Sequence, residues 1–237
     1  AAGKDKGLFR REVPAFNPDI CTGCMDCALV CPDAAIPNTV HEIHDLILTA
    51  VTEIEATDGQ KDVLRKEIFG IAERTREALR HREEKPFHEI VATAAASVAT
   101  DPTMQHTVDK LVAKLATYPV ARTRPFFDSP EKDEPGTGGL FAATIDPWKC
   151  TGCLECVEVC GPGALTVQEQ DAGVLATLQE RFAFMTANPN TPTRFVEGSD
   201  SPDGDIKRLM LDHANFWATT GGHGGCRGCG EVTAIRL

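Results

Sequence analysis

Cys21-x2-Cys24-x2-Cys27-x3-Cys31-Pro32 is a run of four cysteines whose spacing returns at Cys150-x2-Cys153-x2-Cys156-x3-Cys160. Three thiolates at i, i+3 and i+6 on a tight turn can wrap three corners of an iron–sulfur cube, and the fourth corner then needs a ligand from elsewhere. A single C-x2-C pair is weaker evidence, because zinc ribbons share it. Two complete runs in one chain therefore indicate iron–sulfur clusters.

The paired runs resemble those of bacterial-type ferredoxins, in which three cysteines of each run bind one [4Fe–4S] cluster and the fourth completes the other cluster. The resemblance implies an α+β, two-[4Fe–4S] ferredoxin-like fold, which we assign to residues 1–37 and 141–170. Strands at 141–145 and 164–167 are predicted to pair as a hairpin. Residues 31–37 are predicted to begin a short helix and turn.

Composition and charge restrict the possible functions. The chain of 237 residues allows one large domain or two small ones, and its net charge of −11 argues against nucleic acid or an anionic membrane as a partner. No apolar run is long enough to cross a bilayer, and the first residues lack the apolar segment of a secretory leader. The ten cysteines fall into three groups separated by long cysteine-free stretches. This distribution favours metal ligation in a reducing cytoplasm over a disulfide scaffold.

Residues 38–120 separate the two runs and are predicted to form a helical insertion. The block is nearly free of glycine, and its apolar residues recur at helical spacing. Four helices are expected. Their signals are the capping pairs Thr39/Glu42 and Thr57/Gln60, an alanine-rich segment at about 87–99, and Asp101-Pro102.

Two further segments are assigned from composition. Residues 121–140 carry proline and glycine at 134–139 without the Lys-Ser/Thr ending of a phosphate-binding loop, so we predict a flexible linker. Residues 171–237 are predicted to form a connector that leads into another domain. No internal repeat is evident outside the two cysteine runs.

A third cysteine pair lies in the C-terminal motif Cys226-Arg227-Gly228-Cys229-Gly230-Glu231. Because this pair follows the two runs, the chain resembles pyruvate:ferredoxin oxidoreductases, a family of thiamine diphosphate-dependent 2-oxoacid:ferredoxin oxidoreductases. The likeness is carried by three stretches: residues 13–36, residues 150–160 and the C-terminal motif. It implies that 171–237 includes the opening segment of a thiamine-binding α/β domain.

The resemblance also implies roles for individual residues. One cluster would be held by Cys21, Cys24, Cys27 and Cys160, and a second by Cys150, Cys153, Cys156 and Cys31. Cys226 and Cys229 would supply two ligands of a third cluster, and its other ligands would lie outside this sequence. Glu231 would contact thiamine diphosphate, and no catalytic residue is implied within the chain.

In enzymes of this family a 2-oxoacid is decarboxylated on thiamine diphosphate, which is bound with Mg²⁺. Coenzyme A accepts the acyl group, and electrons leave through [4Fe–4S] clusters to a low-potential acceptor. The resemblance implies that this chain is the electron-transfer section of such an enzyme, with pyruvate as the expected substrate. Its expected partners are the rest of the oxidoreductase and a ferredoxin or flavodoxin acceptor. We expect an oligomeric, cytoplasmic enzyme of anaerobic metabolism.

The chain departs from the family pattern at several points. Gly161 separates Cys160 from Pro162, where proline usually follows the cysteine directly, and the insertion at 38–120 is longer than expected. No segment resembles the thiamine pyrophosphate/magnesium motif, the 2-oxoacid pocket or the coenzyme A site. We therefore interpret the chain as a fragment or a subunit of a larger enzyme.

Two other classes of function stay open. A stand-alone two-cluster electron carrier would use the helical insertion to dock a partner, and a structural zinc protein would use the same cysteines. His41 and His44, at i and i+3, are interpreted as a surface pair and not as metal ligands. The charged run from Arg74 to Lys85 is interpreted as a solvated helix face, with a docking patch for an acceptor as the alternative.

Overall fold

Four short strands form two antiparallel pairs in the computed structural model, which describes residues 10–81, 85–196 and 202–218. Strand β1 (Glu12–Phe16) pairs with β4 (Leu165–Glu169), and β2 (Asn38–His41) pairs with β3 (Leu140–Ala143). The predicted hairpin between 141–145 and 164–167 is therefore wrong. Strand β1 was not predicted, because it contains Pro14 and a proline within a run argues against a central strand. A two-stranded ladder tolerates it, since each strand keeps one free edge.

Helices make up most of the remaining described chain. They are α1 (Asp26–Val30), α2 (Ile43–Glu53), α3 (Asp58–Arg80), α4 (Phe87–Ala95), α5 (Pro102–Ala116), α6 (Ser129–Asp133), α7 (Glu155–Glu158), α8 (Ala172–Ala187), α9 (Thr193–Val196), α10 (Pro202–Leu209) and α11 (His213–Ala218). Among these described helices, none has the length and apolar character that crossing a bilayer requires. The fold thus mixes many helices with two small sheets.

The two halves of the sheet region are equivalent well beyond the cysteine runs. When Cys21 is set against Cys150, β1 corresponds to β3 and β2 corresponds to β4. The same backbone hydrogen bond joins the halves twice. Asn17 N–H donates to the Ala164 carbonyl at 2.8 Å, and Asp146 N–H donates to the Ala35 carbonyl at 2.8 Å. The repeated unit is therefore strand, cysteine run and strand, which is longer than the cysteine spacing predicted.

The chain turns after Cys31, so the helix start predicted at 31–37 is wrong. The short helix α1 precedes Cys31, and its counterpart α7 lies inside the second run. Ala35 directs its N–H to Cys31 Sγ, 3.2 Å away, and its carbonyl accepts from Asp146. The N–H and the carbonyl of Ala35 are thus hydrogen-bonded to Cys31 and to the other half of the fold. They are therefore not available for the hydrogen bonds of a helix.

Helices α2 to α5 form a bundle around one apolar core. The capping box predicted at Thr57 and Gln60 is present at the start of α3, and Asp101 caps α5 through the N–H groups of Thr103 and Met104. The capping box predicted at Thr39 and Glu42 is wrong, because Thr39 lies in β2 and Glu42 makes no side-chain cap.

Strand β3 joins the helical bundle to the cysteine region. Leu140 and Ala142 belong to the core of the bundle, whereas Phe141 and Ala143 belong to the core around the cysteines. Successive side chains on a strand point to opposite faces, so the four residues of β3 contribute side chains to both apolar cores. The insertion is therefore packed against the sheet that positions the cysteine runs.

His41 is 2% exposed, so its predicted place in a surface pair with His44 is wrong. Its Nε2 lies 2.7 Å from Thr39 Oγ1 and 3.0 Å from the Tyr118 hydroxyl, which lies 3.2 Å from Thr144 Oγ1. Burial lowers the pKa of His41 to about 3 and raises the pKa of Tyr118 to about 12. A network of neutral polar groups therefore links the β2–β3 sheet to the residues after α5.

Glu131 organises the segment 121–140, which contains a π-helical turn at Arg124–Asp128 followed by α6. The side chain is buried, and its two oxygens accept N–H bonds from Gly136 at 3.1 Å and Gly138 at 3.0 Å. The glycine-rich stretch predicted as flexible therefore wraps a buried carboxylate. Its role as a linker between domains stays a prediction.

Two arginines of α3 neutralise Glu131. Arg80 Nε donates to Oε2 at 2.7 Å, and Arg76 Nε lies 3.1 Å from Oε1. Burial alone would raise the pKa of Glu131, but hydrogen bonds from Gly136, Arg80 and Gly138 outweigh it and lower the pKa. The interpretation of 74–85 as a solvated face is thus wrong for Arg76, which is itself buried.

Candidate metal centre

Four cysteines from distant parts of the chain line one cavity (the first sulfur cavity). Cys21, Cys24 and Cys27 come from the first run, and Cys160 comes from the end of the second. Pairing of β1 with β4 brings these segments together, because β1 leads into Cys21 and β4 follows Cys160. Apolar side chains such as Phe16 complete the lining.

The other four cysteines line a second cavity (the second sulfur cavity). Cys150, Cys153 and Cys156 come from the second run, and Cys31 comes from the end of the first. The structure thus brings together the same two sets of four cysteines that the resemblance implies. Each cavity has one exposed cysteine at the equivalent position, Cys24 in the first and Cys153 in the second.

Both cysteine loops carry the same backbone strain. Gly23 and Gly152 have positive φ angles, 72° and 75°, and so do the bulkier Met25 and Leu154, 64° and 61°. A residue with a Cβ in this left-handed region costs about 1–2 kcal/mol. Such strain persists where the surroundings impose it, and it clusters at functional sites. Because the strain occurs at equivalent positions of the two loops, we infer that this loop shape is what positions the cysteine sulfurs.

Gly152→Ala is expected to damage the protein more than the matched change Gly163→Ala. Both glycines have positive φ, and Ala34 already occupies the left-handed region at the position equivalent to Gly163. A Cβ at Gly152 would lie 2.5 Å from the Glu12 carbonyl oxygen in β1, whereas a Cβ at Gly163 meets nothing within 4 Å. The clash adds about 1–3 kcal/mol to the backbone strain.

The comparison uses urea unfolding and iron analysis of anaerobically prepared protein. We expect Gly152→Ala to show the lower urea midpoint and the lower iron content, because the clash separates β1 from the second loop. Equal losses in both variants would show that the close approach to Glu12 is unimportant.

The surroundings of the cysteines oppose an isolated negative charge. Burial is the largest cause of a raised pKa at five thiols, and neighbouring cysteines add to it in each case. These are Cys21 and Cys31, with pKa values of about 11, Cys27 and Cys156, with values of about 12, and Cys150. Thiolates held here therefore need a cation, which metal ligation supplies. Four thiols around an apolar cavity fit the donor set of a [4Fe–4S] cluster.

Several groups of the chain reach the sulfurs by hydrogen bonding. Backbone N–H groups of Gly23 and Gly152 donate to Cys21 and Cys150, which are equivalent positions. In the first cavity the buried side-chain amide of Asn38 lies 3.9 Å from Cys27 Sγ. Such bonds to sulfur are one of the means by which proteins tune cluster potentials.

Other candidate ligands do not add to these two sets. Within the described ranges, no three His, Cys, Asp or Glu side chains, those of the two cysteine sets included, lie close enough to share one metal ion. A [4Fe–4S] cluster does not require this, because each thiolate binds a different iron. The third cysteine pair, Cys226 and Cys229, lies outside the described residues, and so does Glu231. Their predicted roles stay predictions.

A comparison with known protein families gives a match for the segment that contains the first cysteine run. Residues 13–36 match a family model described as a 4Fe-4S binding domain. The chain carries an iron–sulfur domain. The matched range runs from β1 through all four cysteines of the first run, and a domain of this kind indicates electron transfer. The comparisons returned no match among curated proteins and none among solved structures.

Three residues near the cysteines were not predicted from the sequence to belong to the site. Asn38 was assigned to the helical insertion, and the buried Arg10 and Asp33 were given no role. Their proximity to cysteines depends on strand pairing between the halves. The identical tetrapeptide Cys-Thr-Gly-Cys at 21–24 and 150–153 was the available signal, because it allows the two halves to be aligned and compared.

Proposed function

We propose that the chain binds two [4Fe–4S] clusters, one in each sulfur cavity. The observation that carries the proposal is the exchange of the fourth cysteine, which gives each cavity three thiols from one run and one from the other. The raised thiol pKa values and the repeated strained loops support it. The bound clusters supply one-electron redox chemistry, and the chain's thiols and backbone N–H groups hold them and adjust their potentials.

We further propose that the chain is the electron-transfer section of a thiamine diphosphate- and Mg²⁺-dependent 2-oxoacid:ferredoxin oxidoreductase, with pyruvate as the substrate. The support is the C-terminal motif from Cys226 to Glu231 downstream of the two runs. In this proposal the rest of a cytoplasmic, oligomeric enzyme supplies the 2-oxoacid and coenzyme A sites. A ferredoxin or flavodoxin takes the electrons. The exposed cysteines Cys24 and Cys153 give each cluster an end near the surface, where another redox centre can approach.

Two measurements on anaerobically purified protein test these proposals in turn. Iron and sulfide analysis should give about eight of each for the two cavities, with a paramagnetic signal after dithionite treatment. Colourless, zinc-containing protein would support the structural zinc alternative instead. The assembled enzyme should then reduce a viologen dye when given coenzyme A and a 2-oxoacid. Inactivity with pyruvate, 2-oxoglutarate and indolepyruvate would refute the enzymatic assignment and leave the cluster proposal standing.

A second candidate is a stand-alone two-cluster electron carrier. The observation in its favour is that both sets of four cysteines lie within the described part of the chain, so two clusters need no further ligand. The double change Cys226→Ala with Cys229→Ala separates the candidates. A carrier keeps all of its iron after the change, whereas the assembled oxidoreductase should fall from about twelve irons to about eight.

A further inference from the structure

A buried arginine is hydrogen-bonded to the backbone at the start of the second cysteine run. Arg10 is 7% exposed, and its Nη1 donates to the carbonyl oxygens of Cys150 at 2.9 Å and Pro147 at 2.8 Å. Its Nε donates to Gln170 Oε1 at 2.5 Å, and its Nη2 has no hydrogen-bond partner among the described residues. All of these acceptors are neutral oxygens. The positive charge of Arg10 is therefore buried without a carboxylate in contact within the described part of the chain.

A buried carboxylate lies close to the same cysteines. Asp33 lines the second sulfur cavity, is itself buried, and accepts a hydrogen bond of 2.6 Å from Thr151 Oγ1. Thr151 directly follows Cys150, so Asp33 and Arg10 both reach the beginning of the second run. Their opposite charges therefore act on the same group of sulfurs.

The first sulfur cavity has neither charge at the equivalent positions. Alignment of Cys21 with Cys150 places Gly139 opposite Arg10 and Pro162 opposite Asp33. Both loops carry an acidic residue at one equivalent position, Asp26 in the first and Glu155 in the second. Lys207 Nζ contacts Asp26 Oδ1 at 2.6 Å, so those two charges offset each other locally. The repeat that makes the two cavities alike in shape therefore leaves them unlike in charge.

We propose that Arg10 selectively raises the reduction potential of the cluster in the second sulfur cavity. The proposal rests on the proposed function, because it requires a cluster in each cavity. Reduction adds one electron to a cluster, and a fixed positive charge stabilises the added negative charge. A buried guanidinium is screened less than a surface charge, so its effect on the nearer cluster is large. The two clusters are thereby made unequal as electron acceptors.

The test is a redox titration followed by electron paramagnetic resonance on the anaerobic protein. Cys24→Ala removes a ligand of the first cavity, so in this background the intact four-cysteine site belongs to the second cavity. Adding Arg10→Met, or Arg10→Gln if the methionine variant binds less iron, should lower that potential. We expect at least a tenfold change in the ratio of reduced to oxidised cluster at a fixed potential, equal to about 59 mV for one electron. Arg10→Lys keeps the charge and should restore most of the original potential.

The variant Asp33→Asn distinguishes an effect of charge on the reduction potential from an effect of structural damage. Loss of the carboxylate should raise the same potential, whereas general loosening of the cavity would shift both variants in one direction. In the complementary Cys153→Ala background, the cluster of the first cavity should respond to neither change by more than about threefold. Protein with two clusters but no shift in the Arg10 variants would overturn this inference alone. Protein without clusters would overturn the proposed function and this inference together.

Discussion

The double variant Cys21→Ala/Cys160→Ala is expected to keep one intact [4Fe–4S] cluster, although it loses a cysteine from each run. Both residues line the first sulfur cavity, so the four cysteines of the second remain complete. The first cavity keeps only two thiols, which are too few for a cube. Spin quantification after dithionite reduction, together with iron analysis, should therefore find about one intact cluster, about half of the wild-type value.

The matched variant Cys21→Ala/Cys31→Ala removes two cysteines from a single run. Because Cys31 lines the second cavity, each cavity then has three thiols, and no intact four-cysteine site remains. If each run instead assembled its own cluster, the two results would exchange: the first variant would have no intact site and the second would have one. That exchange of results would refute the crossed arrangement.

Glu131→Ala is expected to lower the free energy of unfolding by about 3–5 kcal/mol, the cost of removing one partner from a buried ion pair. Arg76 would lose the carboxylate nearest its Nε and keep only the longer contacts to Glu73 and Glu42, at 3.3 Å and 3.9 Å. The N–H groups of Gly136 and Gly138 would lose their acceptor. Urea unfolding of the anaerobic protein, followed by circular dichroism, measures the change.

Glu73→Ala is the control for this prediction. Glu73 also contacts Arg76 and Arg80, at 3.3 Å and 3.9 Å, but its side chain is 61% exposed. Exposed ion pairs contribute about 0–1 kcal/mol, so this variant should unfold close to the wild type. Similar losses in the two variants would mean that burial of Glu131 is not what makes it important.

The acidity of Glu131 gives the same site an expected pH dependence. Its pKa is lowered in the folded protein, so its stabilising effect is full above the ordinary pKa of a glutamate. The effect is lost as the pH falls through the lowered folded-state value. Compared with wild type, Glu131→Ala should therefore lose less stability on acidification.

Local signals in the sequence predicted local structure well. The box of Thr57 and Gln60 marked the start of α3, and Asp101-Pro102 marked the start of α5, because caps act through hydrogen bonds within a few residues. The similar pair Thr39 and Glu42 failed, because Thr39 pairs with the distant β3. Cap signals cannot report a strand partner about a hundred residues away in sequence.

Cysteine spacing alone determined that this chain offers two sets of thiols of the iron–sulfur kind, since three ligands at i, i+3 and i+6 are a property of one short loop. The tertiary structure decided which fourth cysteine meets each loop, because β1–β4 and β2–β3 pairing carries Cys160 and Cys31 to opposite halves. It also placed Arg10 and Asp33 beside the cysteines of only one of the two cavities. Packing determines which charged residues lie close enough to act on a buried site, and the order of residues along the chain does not reveal that packing.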